Sequence, residues 1–220
     1  MLISRYKHVV NRIVEPCAAR LAGAGISPTA ITLATPLLVS GVCLWLARTR
    51  AILPFCVAIL AVGCLDGLDG AVARASGRAT KLGAYLDAMC DRYVEIIVVV
   101  AVARVTGYWA LSMVTLAGAL LVSYAKARAA MEIPVSNQEW PDLMERTERA
   151  LIFVAGLAAS AVFSWRPIGK DLFWWTLIVL SVFIHLTVLQ RILRARAFIL
   201  GRDKQLSSAT SPNAALIKSS

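Results

Sequence analysis

The sequence predicts an all-α integral membrane protein, with six transmembrane helices preceded by an amphipathic juxtamembrane helix. Three observations carry that class. Hydrophobic residues make up 59% of the 220-residue chain and charged residues only 16%, against about 45–50% and about 25% in soluble domains. Apolar segments of spanning length, roughly 20 residues, occur at 29–47, 51–73, 82–104, 108–130, 147–164 and 172–195. The net charge of +10 is also unevenly placed along the chain. With both termini on the cytoplasmic side, one face holds Arg5, Lys7, Arg12, Arg20, Arg74, Arg78, Lys81, Lys126, Arg128, Arg146, Arg149 and the cluster from Arg191 to Lys218. The other holds Arg48, Arg50, Arg104, Arg166 and Lys170. Cytoplasmic loops carry such an excess of Lys and Arg. A bilayer therefore explains the basic charge more simply than nucleic acid does, and no nucleic-acid partner is expected.

Three regions follow: a cytoplasmic amphipathic helix over 1–26, a six-helix membrane domain over 27–200 and a disordered tail over 201–220, rich at its end in Ser, Ala and Asn. In the first region Val10, Ile13, Val14, Cys17 and Leu21 recur at helical spacing, with Asn11, Arg12, Glu15 and Arg20 on the other face, as in a helix lying on a membrane surface. Charges interrupt Met1–Gly25, so no signal-peptide core is expected there. Gly23, Gly25 and Ser27-Pro28 break the chain, and Ser27 or Thr29 is placed to cap the first membrane helix. The five cysteines, Cys17, Cys43, Cys56, Cys64 and Cys90, lie mostly in apolar runs with no CxxC spacing, and read as small buried hydrophobes. Trp165, Trp174 and Trp175 suit the outer interface, and His185 sits on an apolar helix face with no partner evident in the sequence.

Residues 66–91, DGLDGAVARASGRATKLGAYLDAMCD, break this apolar pattern with Asp66, Asp69, Asp87 and Asp91. The first pair is spaced i, i+3 and the second i, i+4, so each projects from one helix face. Carboxylates near hydrocarbon are costly, and four gathered together repel unless cations lie between them. Hard divalent ions such as Mg²⁺ or Mn²⁺ bind carboxylate oxygens in this way. Two such ions suit displacement at phosphorus, with one carboxylate left to take a proton. Arg74 and Lys81 stand near enough in sequence to hold a diphosphate. Gly70 and Gly83 suit ligand contact with the backbone, close helix approach being the other use of a small residue. Glu95 continues the Asp87–Asp91 stripe, with Arg92 beside it. Arg146 and Arg149 share a face at the start of helix 5, as do Glu145 and Glu148; beside a metal centre such arginines suit an anionic substrate.

The spacing D-x2-D-G-x2-A-R-x8-G-x3-D-x3-D, filled by Asp66, Asp69, Gly70, Ala73, Arg74, Gly83, Asp87 and Asp91, resembles the signature of the CDP-alcohol phosphotransferases without a departure. The resemblance extends over residues 1–200 through the six-helix layout and the amphipathic first helix. It implies a site of two divalent ions, Mg²⁺ or Mn²⁺, on Asp66, Asp69, Asp87 and Asp91, with Asp91 also the general base. It implies that Asp69, Gly70, Ala73, Arg74 and Gly83 bind the CDP-linked lipid, either CDP-diacylglycerol or CDP-archaeol. The acceptor alcohol would attack the β-phosphorus and expel CMP. The runs Tyr124-x-Lys126-x-Arg128, Glu145-Arg146-x-x-Glu148-Arg149 and Gln190-Arg191 resemble the members that use inositol phosphate. That places Lys126, Arg146, Arg149 and Arg191 in an acceptor-phosphate pocket, with glycerol 3-phosphate the alternative acceptor. The resemblance further implies a homodimer in a prokaryotic cytoplasmic membrane, with the site facing the cytoplasm.

Two other classes fit less of the pattern. Intramembrane prenyltransferases also use Mg²⁺, but their aspartate motifs lie in different halves of the chain, and the second half here has no such pair. A divalent-cation transporter needs acids near mid-membrane on several helices, whereas these cluster at one end.

Overall fold

The computed structural model describes residues 27–77, 79–132 and 143–209, together with Pro16, Arg20 and Gly23; the side chains of 65–69, 75 and 203–209 lie outside that description. The expected surface helix over 1–26 is thus almost wholly outside the described residues, as is the end of the tail. Among the described residues the chain is all-α, with helices α1 (Pro28–Thr49), α2 (Ile52–Ala75), α3 (Lys81–Thr106), α4 (Trp109–Glu132), α5 (Arg146–Val162) and α6 (Leu172–Ala209), and a short 3₁₀ turn at Pro167–Gly169.

Local chemistry sets the helix ends. Of the two expected caps, Ser27 is the one used: its Oγ accepts from the Ala30 N–H at 3.1 Å, while Pro28 presets the first helical φ. Inside α1, Pro36 cannot donate a backbone hydrogen bond. The Thr32, Thr35 and Ser40 hydroxyls donate to carbonyls one turn back, at 3.2, 3.1 and 2.7 Å, which satisfies them without water. Arg50 ends α1 in the left-handed region, its N–H donating to the Leu46 carbonyl at 2.8 Å. Thr80 opens α3 by accepting from the Gly83 N–H at 3.0 Å. Gly107 ends α3 with φ +80°, a conformation that costs glycine nothing. At α5, Glu145 and Glu148 form a reciprocal capping box.

Helix α1 packs on α2 and α3, α4 on α3 and α6, and α5 on α2 and α6. The core between them includes Leu46, Phe55, Val102, Leu157, Phe173, Leu177 and Ile184. Phe153 and Phe173 meet edge to face at 5.2 Å, a favoured aromatic geometry. Helix α6 lies close to its neighbours because two glycines leave room. A Cβ on Gly156 would stand 2.4 Å from Thr176 Oγ1, and one on Gly118 would stand 2.6 Å from Ile184 Cγ2. Thr115 and Ser181 share a buried hydroxyl pair at 2.7 Å across α4 and α6. Small and hydroxyl residues join membrane helices in this manner.

The outer surface carries large apolar side chains such as Leu37, Val57 and Leu186. Three described helices are long and apolar enough to cross a membrane: Pro28–Thr49, Trp109–Glu132 and the Leu172–Arg202 portion of α6. Elsewhere charge or length interrupts the pattern. In α2 the apolar stretch is Ile52–Cys64, α3 carries Asp87, Asp91, Arg92 and Glu95, and α5 has 17 residues.

Three expectations change. The segment from 201, expected to be disordered, continues α6 to Ala209; Arg202 donates to the Glu132 carbonyl of α4 at 3.0 Å, and no proline interrupts the helix before that point. Cys64 is exposed, unlike the buried Cys43, Cys56 and Cys90, because it lines the open cavity that Arg146 and Arg149 also border. His185 does have a partner: its Nε2 is 3.3 Å from the Val114 carbonyl.

Candidate active site

A turn at Ser76–Gly77, with Gly77 at φ +66°, follows the end of α2, and α3 opens at Lys81. Asp66, Asp69, Gly70, Ala73 and Arg74 occupy the final turns of α2, and Gly83, Asp87 and Asp91 the first turns of α3. The side chains of Asp66 and Asp69 lie outside the described residues. Arg74 lies over the Gly70 backbone; a Cβ there would be 3.4 Å from its Nη1. At Gly83 a Cβ would be 3.2 Å from Thr80 Oγ1, so that glycine also serves the tight start of α3.

Asp91 is the best defined of the acids. Arg146, from the first turn of α5, donates to its Oδ2. Its Oδ1 is buried with no hydrogen-bond partner among the described residues. A buried carboxylate oxygen without a donor is costly, and it is a hard donor of the type that Mg²⁺ and Mn²⁺ accept. Asp87 stands one turn earlier on the same helix, half-buried. The acids described here therefore fit a divalent ion. Among the described residues no three His, Cys, Asp or Glu side chains converge, as the two α2 aspartates fall outside that set.

One turn beyond Asp91, Glu95 joins three helices. Its Oε2 accepts from Arg92 Nη1 at 2.8 Å, and its Oε1 lies 3.9 Å from Arg149 Nη2 on α5. Arg92 also donates to Ser123 Oγ on α4 at 2.6 Å. Arg149 is buried and donates to the Met144 carbonyl at 3.3 Å. The pairing of Arg92 with a carboxylate of the stripe is legible in their spacing, whereas Ser123 and Arg149 are not, because neither Ser123 nor the approach of α5 leaves a signature at fixed spacing.

The expected basic residues divide. Arg146 and Arg149 line a cavity of about 470 Å³ with Glu95 and Thr147, and its remaining walls are mostly apolar, among them Ile59, Leu60, Val98 and Phe153. Lys126 and Arg191 are not among its lining residues. Arg191 is buried and donates to the Val122 carbonyl of α4, while Lys126, half-buried, lies one turn beyond Val122.

The sequence model of the CDP-alcohol phosphatidyltransferase family matches residues 26–187, a span that contains every acid of the motif. The chain belongs to that family. As a CDP-alcohol phosphatidyltransferase it is a membrane-embedded transferase. It is 32% identical over 191 residues to the phosphatidylinositol phosphate synthase of Corynebacterium glutamicum, covering 83% of this chain and 84% of that one. It is 34% identical over 160 residues to the archaetidylinositol phosphate synthase of Pyrococcus horikoshii, covering 71% and 82%. The crystal structure of the Mycobacterium tuberculosis phosphatidylinositol phosphate synthase with CDP-DAG bound superposes with a TM-score of 0.72 at 26% identity, over 84% of this chain and 94% of that one. The same enzyme with manganese and citrate gives a TM-score of 0.71 at 24% identity, over 83% and 88%, a likeness of fold.

Proposed function

We propose that this phosphatidyltransferase moves a phosphatidyl or archaetidyl group from its CDP-linked lipid to inositol 1-phosphate, releasing CMP and forming an inositol phospholipid phosphate. The observation that carries the proposal is the contact of Arg146 with Asp91, beside a buried Arg149. A fixed guanidinium next to the base is suited to a phosphorylated acceptor, and the relatives named above are inositol phosphate lipid synthases.

In this proposal Asp66, Asp69, Asp87 and Asp91 hold two divalent ions, Mg²⁺ or Mn²⁺. When bound, such ions neutralise charge on the diphosphate and on the departing CMP. Arg74, with Gly70, Ala73 and Gly83, holds the CDP group. Arg146 and Arg149 hold the acceptor's phosphate. Asp91 takes the proton of the acceptor hydroxyl as that oxygen bonds to the β-phosphorus. The bond from this phosphorus to the CMP oxygen breaks, and CMP leaves with the electron pair. The apolar wall of the cavity, Ile59 and Val98 among it, keeps water from competing for the phosphorus.

We also infer that all six helices cross a prokaryotic cytoplasmic membrane with the site facing the cytoplasm, in keeping with the charge asymmetry. A homodimer follows from the family resemblance alone. The test is CMP release by purified protein with CDP-diacylglycerol or CDP-archaeol and Mg²⁺ or Mn²⁺, with inositol 1-phosphate, inositol, glycerol 3-phosphate and serine offered singly. Release with inositol 1-phosphate alone is expected. Release with glycerol 3-phosphate alone would keep the aspartate roles and remove this acceptor.

A further inference from the structure

At the end of the bundle away from the aspartates, a recess of about 270 Å³ is lined by Ala47, Arg50, Arg104, Val105 and Trp109. It lies where α1 and α3 end and α4 begins. Along α3, Arg104 stands about 20 Å from Asp91 at about 1.5 Å per residue, so the recess is separate from the catalytic end. We propose that it binds the phosphate of an anionic phospholipid in the leaflet opposite the active site.

Two guanidiniums from different helices face this one recess. Among the described residues neither has a hydrogen-bond or ion-pair partner for its side chain, although other arginines in the fold do. A cation near a helix C-terminus is favoured by the helix dipole, which explains Arg50 and Arg104 each by itself. It does not explain their convergence, since like charges repel and do so more strongly beside a low-dielectric bilayer. A phosphate between them offsets that repulsion and takes charge-assisted hydrogen bonds from both. The volume is ample for one phosphodiester.

The surroundings select a lipid over a free ion. Trp109 in the recess wall and Trp45 on α1 are both partly exposed, and amphipathic rings of this type settle at the level of lipid headgroups. The exposed Leu44 and Leu38 continue the apolar surface of α1 away from the recess, a path for acyl chains. A zwitterionic headgroup would bring its own cation against the two arginines, so an anionic one is favoured.

The test is native mass spectrometry of the full chain released from detergent after incubation with phosphatidylglycerol, phosphatidylcholine or inorganic phosphate. Wild type is expected to retain one more phosphatidylglycerol than Arg50→Gln/Arg104→Gln, with a preference over phosphatidylcholine of about tenfold, the size of one charge-assisted contact. Lipid held at the catalytic end is common to both proteins and cancels. Arg50→Lys/Arg104→Lys is expected to restore part of the retention, and CMP release is expected to be unchanged in both double variants, which also reports that they fold. Equal phosphatidylglycerol retention in wild type and the Gln variant would overturn the proposal. So would displacement of the bound lipid by millimolar inorganic phosphate, which would make the recess a site for a free anion.

Discussion

The start of α5 and the middle of α6 are held to their neighbours by opposite means. Arg146 and Arg149 bring α5 to α3 through Asp91 and Glu95, and one oxygen of Asp91 is left buried without a donor. Helix α6 instead meets α4 and α5 where Gly118 and Gly156 remove side chains, and at mid-helix its Ser181 hydroxyl pairs with Thr115. In the first region buried polarity is incompletely satisfied, which is costly for a fold and useful for binding a cation. In the second the hydroxyl pair at mid-helix is satisfied and carries no charge. A buried carboxylate oxygen without a donor marks the site, and close packing at Gly118 and Gly156 marks the frame that holds it.

That contrast is open to direct attack. Asp91→Asn leaves the shape of the site and removes its charge. CMP release is expected to fall by about 10²–10⁴-fold, the range for loss of a positioned base, with thermal unfolding in detergent nearly unchanged. Retention of full turnover would take the base role from Asp91. Arg146→Ala is expected to raise KM for inositol 1-phosphate by about 10–100-fold, from loss of a charge-assisted contact of about 1.5–3 kcal/mol, while KM for the CDP-lipid stays within a factor of two or so. An unchanged acceptor KM would leave Arg146 only its contact with Asp91.

The frame should respond in the reverse sense. Gly156→Val forces a side chain into Thr176, where even a Cβ would be 2.4 Å away, and overpacking of this kind costs about 1–3 kcal/mol. A fall in unfolding midpoint is expected, with KM values for both substrates retained below the transition. If the midpoint holds and turnover collapses, the division between site and frame is wrong. Thr80→Ala is the smallest change. It removes the cap on the Gly83 N–H and is expected to cost about 1 kcal/mol. A large rise in KM for the CDP-lipid in that variant would mean that the start of α3 serves the ligand more than the helix.

Much of this was legible in the chain. The ends of α1 to α5 fall within a few residues of the apolar segments, since spanning length and capping residues are local properties: Ser27, Glu145 and Glu148 act on backbone only three residues away. The motif acids were legible for the same reason, because i, i+3 and i, i+4 spacing places carboxylates on one face before any packing is known. The far end of α6 is not legible, because its composition is that of a tail, whereas the helix there goes with a contact from Arg202 across to Glu132 on α4. The roles of Gly118 and Gly156 are not legible either, since the neighbours that require them, Ile184 and Thr176, lie on another helix.

By itself the sequence determined the all-α membrane class, the two aspartate pairs and the family, because each depends on composition or on spacing within one or two helices. Tertiary structure alone decided that Arg146 meets Asp91, that Glu95 ties α3 to α5, and that Arg191 is spent on the Val122 carbonyl. Those contacts span from 54 to 69 positions of chain. No local rule reaches so far, and only the crossing of packed helices brings such residues within a hydrogen bond of one another.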